Sequence, residues 1–174
     1  MYEKTFPNKR FKHTIQFLKN HVSNTETILD LGVKNPFSEI MKQQGFSVEN
    51  TTGEDLDVDT TTIENSTANV VTAFEIFEHL LSPFTVLKSI KTDKLVASVP
   101  LKLWFSSAYR SKTDMLDRHY HEFEDWQFDW LLEKAGWKII AQEKWTNPTK
   151  KIGIRPILRW FTPRYYIVYA EKIK

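Results

Sequence analysis

Three short stretches of the sequence carry residue types that could take part in chemistry. In the first, an apolar run ends at Asp30 and Gly32, and a helical pattern follows it. A glycine permits a tight turn and a close approach of the backbone to a ligand, and a helix N-terminus offers free N–H groups. This arrangement is typical of a nucleotide site. The further glycines of the usual fingerprint are absent, however, so the pattern alone favours a plain strand-to-helix turn.

The second and third stretches carry titratable side chains. Glu75, Glu78 and His79 could be metal ligands, and Glu75 and His79 have the spacing that places two ligands on one helical face. Because the sequence suggests no convincing third ligand, we predict no metal. His119 and His121 alternate on a segment that reads as extended. An imidazole pKa near about 6.5 suits a general base at neutral pH, and the alternative is a hydrogen-bonding or surface histidine.

The elements that position these residues follow from hydrophobic periodicity. Apolar spacing and capping signals predict helices over residues 11–22, 36–44, 82–90 and 125–135. β-Rich runs predict strands over residues 27–32, 46–48, 69–74, 94–99, 137–142 and 165–170, and residues 54–59 read as a short strand or a loop. This alternation predicts an α/β layer fold with a largely parallel sheet.

Composition limits the class of protein. The chain has 174 residues, which suits one domain over residues 1–174, and it contains no cysteine, which excludes disulfides and thiolate metal sites. The net charge of +2 is too small to indicate nucleic acid by itself. No apolar run approaches the roughly 20 residues that span a bilayer, and residues 1–17 contain no apolar signal region. We therefore expect a cytoplasmic protein without membrane contact.

Residues 70–80, VVTAFEIFEHL, resemble the fourth-strand motif of class I S-adenosylmethionine-dependent methyltransferases. The order of the other motifs agrees with that family. Asp30 and Gly32 precede residues 70–80, and a strand that ends at Pro100 follows them. A histidine, a helix and a glycine come later, over residues 121–137. The resemblance covers roughly residues 28–141. It implies a Rossmann-like three-layer sandwich with a mostly parallel, seven-stranded sheet whose last strand is antiparallel.

The resemblance also implies S-adenosylmethionine as the cofactor, held at the strand ends. Asp30 would lie near the methionine amino group, and Gly32 would let the backbone approach the cofactor. Phe74 and Glu75 would line the methionine and sulfonium side, with His79 near the same pocket.

On the adenosine side, the resemblance implies an aspartate beside the adenine amine, and this position falls on Asp57. The family's acidic residue for the ribose falls on Thr52, for which Glu54 or Asp55 would substitute. Residues 48–69 are too few for the usual strand, helix, strand and loop. We therefore expect one helix to be missing and the adenosine side of the pocket to be open.

The glycine motif departs from the family pattern at Lys34, where a glycine is expected. The lysine cation would lie near the cofactor's sulfonium unless it points to the cofactor carboxylate or to solvent, and like charges repel at low local dielectric. This departure keeps open a second hypothesis, an inactive methyltransferase fold that binds a partner or ligand.

The resemblance implies methyl transfer to a small-molecule acceptor. We expect residues 101–122 and 147–164 to be insertions on the substrate side, since loops beside a sheet often hold binding residues. The candidates for a general base are His121 or His119, followed by Tyr109 and Tyr120.

The C-terminal segment supports a third hypothesis. Residues 150–174 contain seven basic residues and one acidic residue, with aromatic residues between them. Such a pattern could bind nucleic acid or an anionic substrate, and the alternative is a solvated rim above an aromatic core. A nucleic-acid-binding or nucleic-acid-modifying protein would depend on Arg155, Arg159 and Arg164.

Overall fold

The predicted alternation of helices and strands is present in a computed structural model, which describes residues 8–115, 117–148 and 152–174. Predicted features that involve residues 1–7 and 149–151, including the start of the basic C-terminal segment, lie outside the described residues. The elements in chain order are α1 (Asn8–His21), β1 (Thr27–Asp30), α2 (Pro36–Gln43), β2 (Ser47–Asn50), α3 (Thr61–Glu64), β3 (Val70–Phe74), a 3-10 turn (Phe77–His79), α4 (Pro83–Ser89), β4 (Lys94–Pro100), α5 (Asp125–Lys134), β5 (Trp137–Thr146), α6 (Ile154–Phe161) and β6 (Pro163–Lys172).

The strands form one sheet in the order β2-β1-β3-β4-β6-β5. The first four strands of that order are parallel, and β6 runs antiparallel to both β4 and β5. The prediction that the last strand is antiparallel is confirmed. The connection from β1 leads to β2 on one side, and the connection from β3 leads to β4 on the other side, which opens a crevice between the carboxyl ends of β1 and β3.

The prediction of seven strands is wrong, because the described sheet has six. Between β2 and β3, residues 51–69 contain only the four-residue helix α3. A crossover between parallel strands takes a dozen or more residues, so this segment cannot hold two crossovers and a further strand. The expected shortening is therefore confirmed, but it removes a strand and leaves only one turn of helix.

Helices cover both faces of the sheet and make the expected three layers. On one face, Phe37 and Met41 of α2 and Phe17 of α1 pack with β-strand residues such as Val70. On the other face, the neighbouring Val71 belongs to a second cluster, together with Leu87 of α4 and Phe128 of α5. Successive residues of β3 alternate between the two clusters because strand side chains point to opposite faces.

Two segments outside the regular sandwich differ in character. Residues 101–124 connect β4 to α5 without a helix or a named strand among their described residues, and a bridge between Leu101 and Phe123 brings their ends together. The later segment, residues 147–164, which we expected to be an insertion, contains α6. No helix in the described ranges is both long enough and apolar enough to cross a bilayer.

Candidate functional site

A cavity of about 450 Å³ lies where β1, β3 and β4 end, within the crevice that the strand order creates. The strand ends contribute Asp30, Gly32, Phe74, Glu75, Ser98 and Pro100 to its lining. Helix α1 covers one side through Arg10, and the loop after β4 covers another through Tyr109 and His119. The position and volume are those of a small-molecule site in an α/β protein.

Asp30 occupies the carboxyl end of β1 and is only 2% exposed. Its Oδ1 accepts a hydrogen bond from Thr72 Oγ1 at 2.7 Å, and its Oδ2 accepts from Ser38 Oγ at 3.2 Å and Asn50 Nδ2 at 3.1 Å. Burial raises the pKa of Asp30 to about 6, and the three donors oppose that rise. The carboxylate therefore joins β1 to β3, α2 and β2 at the base of the cavity.

The turn after β1 uses Gly32 in the left-handed region, with a φ of 102°. An added Cβ would lie 3.3 Å from the Ile76 side chain, and the Gly32 amide donates to Thr51 Oγ1 at 2.8 Å. Asn35 then caps α2 by accepting from the amides of Phe37 and Ser38. The glycine is thus required by the turn itself, and it brings the backbone to the wall of the cavity.

Lys34 does not line the cavity. Its Nζ lies 3.1 Å from Glu39 Oε1, and its side chain is largely exposed. The Lys34 side chain therefore points to solvent, which was one of the directions that the sequence left open. Its cation does not compete for the space beside Gly32.

Glu75 is the residue just after β3, with a φ of 58°, and its carboxylate lies between two anchors. Arg10 Nη1 lies 3.1 Å from Oε2, and Ser98 Oγ donates to Oε1 at 3.0 Å. The Glu75 amide also donates to the Ser98 carbonyl at 3.0 Å. A left-handed conformation is unfavourable for a residue with a side chain, so these contacts hold a strained backbone that places a carboxylate on the cavity wall.

A second acidic group, Glu78, lines the cavity from the 3-10 turn and is 1% exposed. Burial, followed by the negative charge of Glu75, raises the pKa of Glu78 well above its usual range. Its Oε2 has no hydrogen-bond partner among the described residues. A buried polar atom without a partner is costly, so this corner of the cavity suits a ligand that supplies one.

His79 and His119 meet at the same corner of the cavity. Their ring centroids are 4.7 Å apart in an edge arrangement, and His79 Nδ1 lies 2.9 Å from the Arg118 carbonyl oxygen. Burial, followed by the electrostatic effect of the neighbouring His79 ring, lowers the pKa of His119 to about 4. At neutral pH His119 is therefore uncharged, with one unprotonated ring nitrogen, and it is a weak base.

His121 and Tyr120 lie apart from the wall of this cavity. His121 Nε2 is 3.3 Å from the Leu81 carbonyl oxygen, and its ring stacks on Phe123 at 5.5 Å. Of the four predicted base candidates, the structure brings His119 and Tyr109 to the cavity.

Asp55 and Asp57 do not line the cavity. Asp57 accepts hydrogen bonds from the amides of Leu81 and Ser82 at 2.8 and 2.7 Å, which caps the chain entering α4. Asp55 accepts from the Asp57 amide at 3.0 Å within its own turn. Because the strand expected in residues 51–69 is missing, this acidic segment turns onto α4.

A second cavity of about 470 Å³ shares Tyr109 and His119 with the first. Its lining includes Arg110, Lys112 and Arg118 but no acidic residue. Among the residues that the structure describes, these three cations have no ion-pair partner within 4 Å. The second cavity therefore adds a basic compartment to the first.

Sequence reasoning missed several residues of the site. Arg10 reaches Glu75 from 65 positions earlier in the chain, and α1 gave no signal beyond its amphipathic spacing. Asn50 and Thr51 contact the β1 turn only because β2 is paired with β1. The Asn-Thr pair at the end of β2 was the one signal that could have located Asn50 and Thr51.

The basic C-terminal segment is divided between two places. Arg164 lines the first cavity, and its Nη1 donates to the Leu101 carbonyl. Arg155 and Arg159 lie on α6, whose Ile154, Trp160 and Phe161 side chains are exposed. Arg159 and Arg164 nevertheless both line a smaller cavity of about 110 Å³, so these two basic residues lie close together.

No protein-family model matches the sequence, and no curated protein matches it. Solved structures share the fold at low identity. A SAM-dependent methyltransferase from Archaeoglobus fulgidus is 16% identical, with a TM-score of 0.63 over 94% of this chain and 92% of that one. The N-terminal domain of EvdMO1, solved with SAH bound, is 14% identical, with a TM-score of 0.55 over 94% of this chain and 81% of that one.

One neighbour carries a different activity. The [4+2]-cyclase SpnF is 12% identical, with a TM-score of 0.61 over 99% of this chain and 85% of that one. The similarity confirms the resemblance to class I SAM-dependent methyltransferases at the level of the fold. A fold of this kind can serve more than one reaction, so the activity has to be argued from the site.

The raised pKa of Asp30 predicts a pH-dependent stability. Between about pH 4 and 6 the folded protein keeps a proton that the unfolded chain, with a carboxyl pKa near 3.9, releases. The free energy of unfolding should therefore fall as pH rises through this window, by up to about 3 kcal/mol from this group. Urea denaturation of the wild type and Asp30→Asn across this range measures the difference, and parallel pH profiles would contradict the prediction.

The contacts of Asp57 predict a structural cost for its removal. Asp57→Ala leaves two backbone amides at the start of α4 without their acceptor and should lower the free energy of unfolding by about 1–2 kcal/mol. Asp57→Asn keeps one acceptor oxygen and should lose less. Chemical denaturation checks both variants, and an Asp57→Ala protein as stable as the wild type would refute this role.

Proposed function

We propose that the protein transfers a methyl group from S-adenosylmethionine to an anionic small molecule. The observation that carries the proposal is the cavity at the ends of β1, β3 and β4, in which carboxylates and an arginine lie on the wall of a methyltransferase-like fold. S-Adenosylmethionine has a cationic sulfonium, a cationic ammonium and a carboxylate. Glu75 and Asp30 suit the two cations, and Arg10 suits an anion.

The residues of the first cavity would hold the cofactor by charge and by backbone approach. Gly32 exposes the β1 turn, Phe74 provides an apolar surface, and Glu75 is fixed by Arg10 and Ser98 before any ligand binds. A carboxylate that is already held costs little reorganisation when a cation arrives. This part of the site matches the methionine side implied by the resemblance.

When bound, the cofactor supplies an electrophilic methyl carbon, whose bond to sulfur breaks as the acceptor's nucleophilic atom attacks. The protein's contribution is then to align the two reactants and exclude water. His119 would orient the acceptor at the boundary of the two cavities, and its pKa of about 4 makes it a poor proton acceptor. An acceptor that is already ionised fits this arrangement best.

The basic second cavity supports the class of acceptor. Arg110, Lys112 and Arg118 surround it, and it joins the first cavity at Tyr109 and His119. A small molecule bearing a carboxylate or phosphate would be attracted to these cations while its reactive end reaches the shared boundary. The site thus divides into an acidic cofactor side and a basic acceptor side.

An inactive protein that only binds a ligand stands as the second candidate. The specific observation in its favour is the loss of a strand and of the acidic residues from the adenosine side, where Asp55 and Asp57 turn away. A protein of this kind would bind cofactor or acceptor without forming a methylated product.

Cofactor binding is the first test. We expect calorimetric titration with S-adenosylmethionine to give a Kd in the micromolar range, and Glu75→Gln to weaken binding by about tenfold through loss of one charged partner. Glu49→Gln, an exposed change on β2, is the matched control and should leave the Kd unchanged. Absence of binding to the folded wild type at millimolar ligand would reject the proposal.

The anionic acceptor is tested separately, with S-adenosylhomocysteine present at saturation. Phenyl phosphate and its neutral analogue phenol serve as probes, and ligand-observed NMR measures their binding. We expect the phosphate to bind at least about tenfold more tightly, and neutralising Arg110, Lys112 and Arg118 to glutamine to remove that preference. Lys138→Gln on the exposed side of β5 is the control, and equal binding of both probes to the wild type would rule out a basic acceptor compartment.

A further inference from the structure

The corner of the cavity formed by Glu78, His79 and His119 has the composition of a metal site. One ligand atom from each of the three side chains can be chosen so that all lie within 4.8 Å of one another. We propose that these residues bind a divalent transition-metal ion of the Zn²⁺ or Fe²⁺ class. The sequence pointed only to Glu75, Glu78 and His79, because His119 is contributed by a loop 40 residues further on.

The buried carboxylate of Glu78 is the independent observation that points to a ligand. The residue is 1% exposed, it lines the cavity, and its Oε2 is without a partner in the described part of the chain. Its Oε1 lies 3.7 Å from His79 Nε2, which is too long for a hydrogen bond. A cation between these groups would satisfy a carboxylate that the surrounding residues leave incomplete.

The backbone holds Glu78 close to the loop that carries His119. The Glu78 carbonyl oxygen accepts hydrogen bonds from the amides of Tyr120 and His121, at 2.8 and 3.2 Å. These two bonds attach residues on the C-terminal side of His119 directly to the turn that bears Glu78 and His79. The three candidate ligands are therefore brought together by main-chain contacts that do not depend on an ion.

His79 is oriented as a metal-binding histidine usually is. Its Nδ1 lies 2.9 Å from the Arg118 carbonyl oxygen, which can only accept a hydrogen bond. In the uncharged ring the proton is therefore on Nδ1, and the lone pair is on Nε2, the atom nearer Glu78. A hydrogen bond from the second ring nitrogen to a carbonyl is the common outer contact that fixes the tautomer of a ligating histidine.

Two imidazoles and one carboxylate determine the class of metal. This donor set suits zinc, iron and related ions, whereas magnesium and calcium prefer oxygen donors alone. Three protein ligands also leave coordination positions open. His119 lines both cavities, so an ion beside it would offer an open position at their shared boundary.

The ion would then contact the acceptor that the cations of the second cavity attract. This extension rests on the proposed function. An oxygen of a carboxylate or phosphate acceptor could occupy the open position, and the ion would add positive charge to that of Arg110, Lys112 and Arg118. The metal site itself does not depend on this extension and is tested without any cofactor.

The test is a titration of chelator-treated protein with Co²⁺, followed by visible absorption, and with Zn²⁺ in competition with a chromophoric chelator. We expect one equivalent of metal to bind, with Co²⁺ bands that indicate nitrogen and oxygen ligands. Glu78→Gln, His79→Gln and His119→Gln should each weaken Zn²⁺ binding by about tenfold or more. The matched control is His121→Gln, which removes a nearby imidazole outside the cluster and should leave the affinity unchanged.

Three outcomes would overturn the inference: no binding by the wild type, unchanged affinity in both His79→Gln and His119→Gln, or an equal loss in His121→Gln. His79 and His119 are partly exposed, so their variants decide the question even if Glu78→Gln fails to fold, which circular dichroism would reveal. Titration with S-adenosylhomocysteine in the presence of a chelator distinguishes failure of the metal site from failure of the proposed function. Cofactor binding there, combined with no metal binding, would remove the metal site and leave the proposed function intact.

Discussion

Asp30 is removed from water at the point where three strands and a helix meet, so its carboxylate has to be stabilised by protein groups. Thr72, Ser38 and Asn50 supply the hydrogen bonds, one each from β3, α2 and β2. These same contacts fix the turn at Gly32 and the floor of the cavity. The arrangement ties the end of β1 to both of its neighbouring strands, and a ligand that binds above it meets a surface already held in place.

A second constraint is the short connection between β2 and β3. Since residues 51–69 cannot supply another strand, Asp57 is used to cap α4 and the sheet ends at β2. The consequence is an asymmetric site. The side built by Asp30 and Glu75 is where we propose that the methionine portion binds, whereas Asp55 and Asp57 do not line the cavity. The loop after β4 provides the opposite wall through Tyr109 and His119.

Local signals in the sequence were sufficient for most of the fold and for part of the site. The strand ends at Asp30 and Phe74 were predictable because alternation, turn glycines and the family resemblance all coincide there. Asp57 was placed by counting along a segment whose strand is missing, so the count no longer reflects spatial position. Arg10 could not be predicted, because its contact with Glu75 depends on how α1 packs against the sheet rather than on any nearby residue.

The central claim is that the carboxyl ends of β1 and β3 form a cofactor site despite the degenerate glycine motif. A crystal structure of the protein with S-adenosylhomocysteine tests it most directly. The account predicts that the ligand lies in the cavity above Asp30 and Gly32, with its methionine portion beside Glu75 and Arg10. A ligand bound away from these strand ends, or a cavity that remains free of it at saturating concentration, would contradict the account.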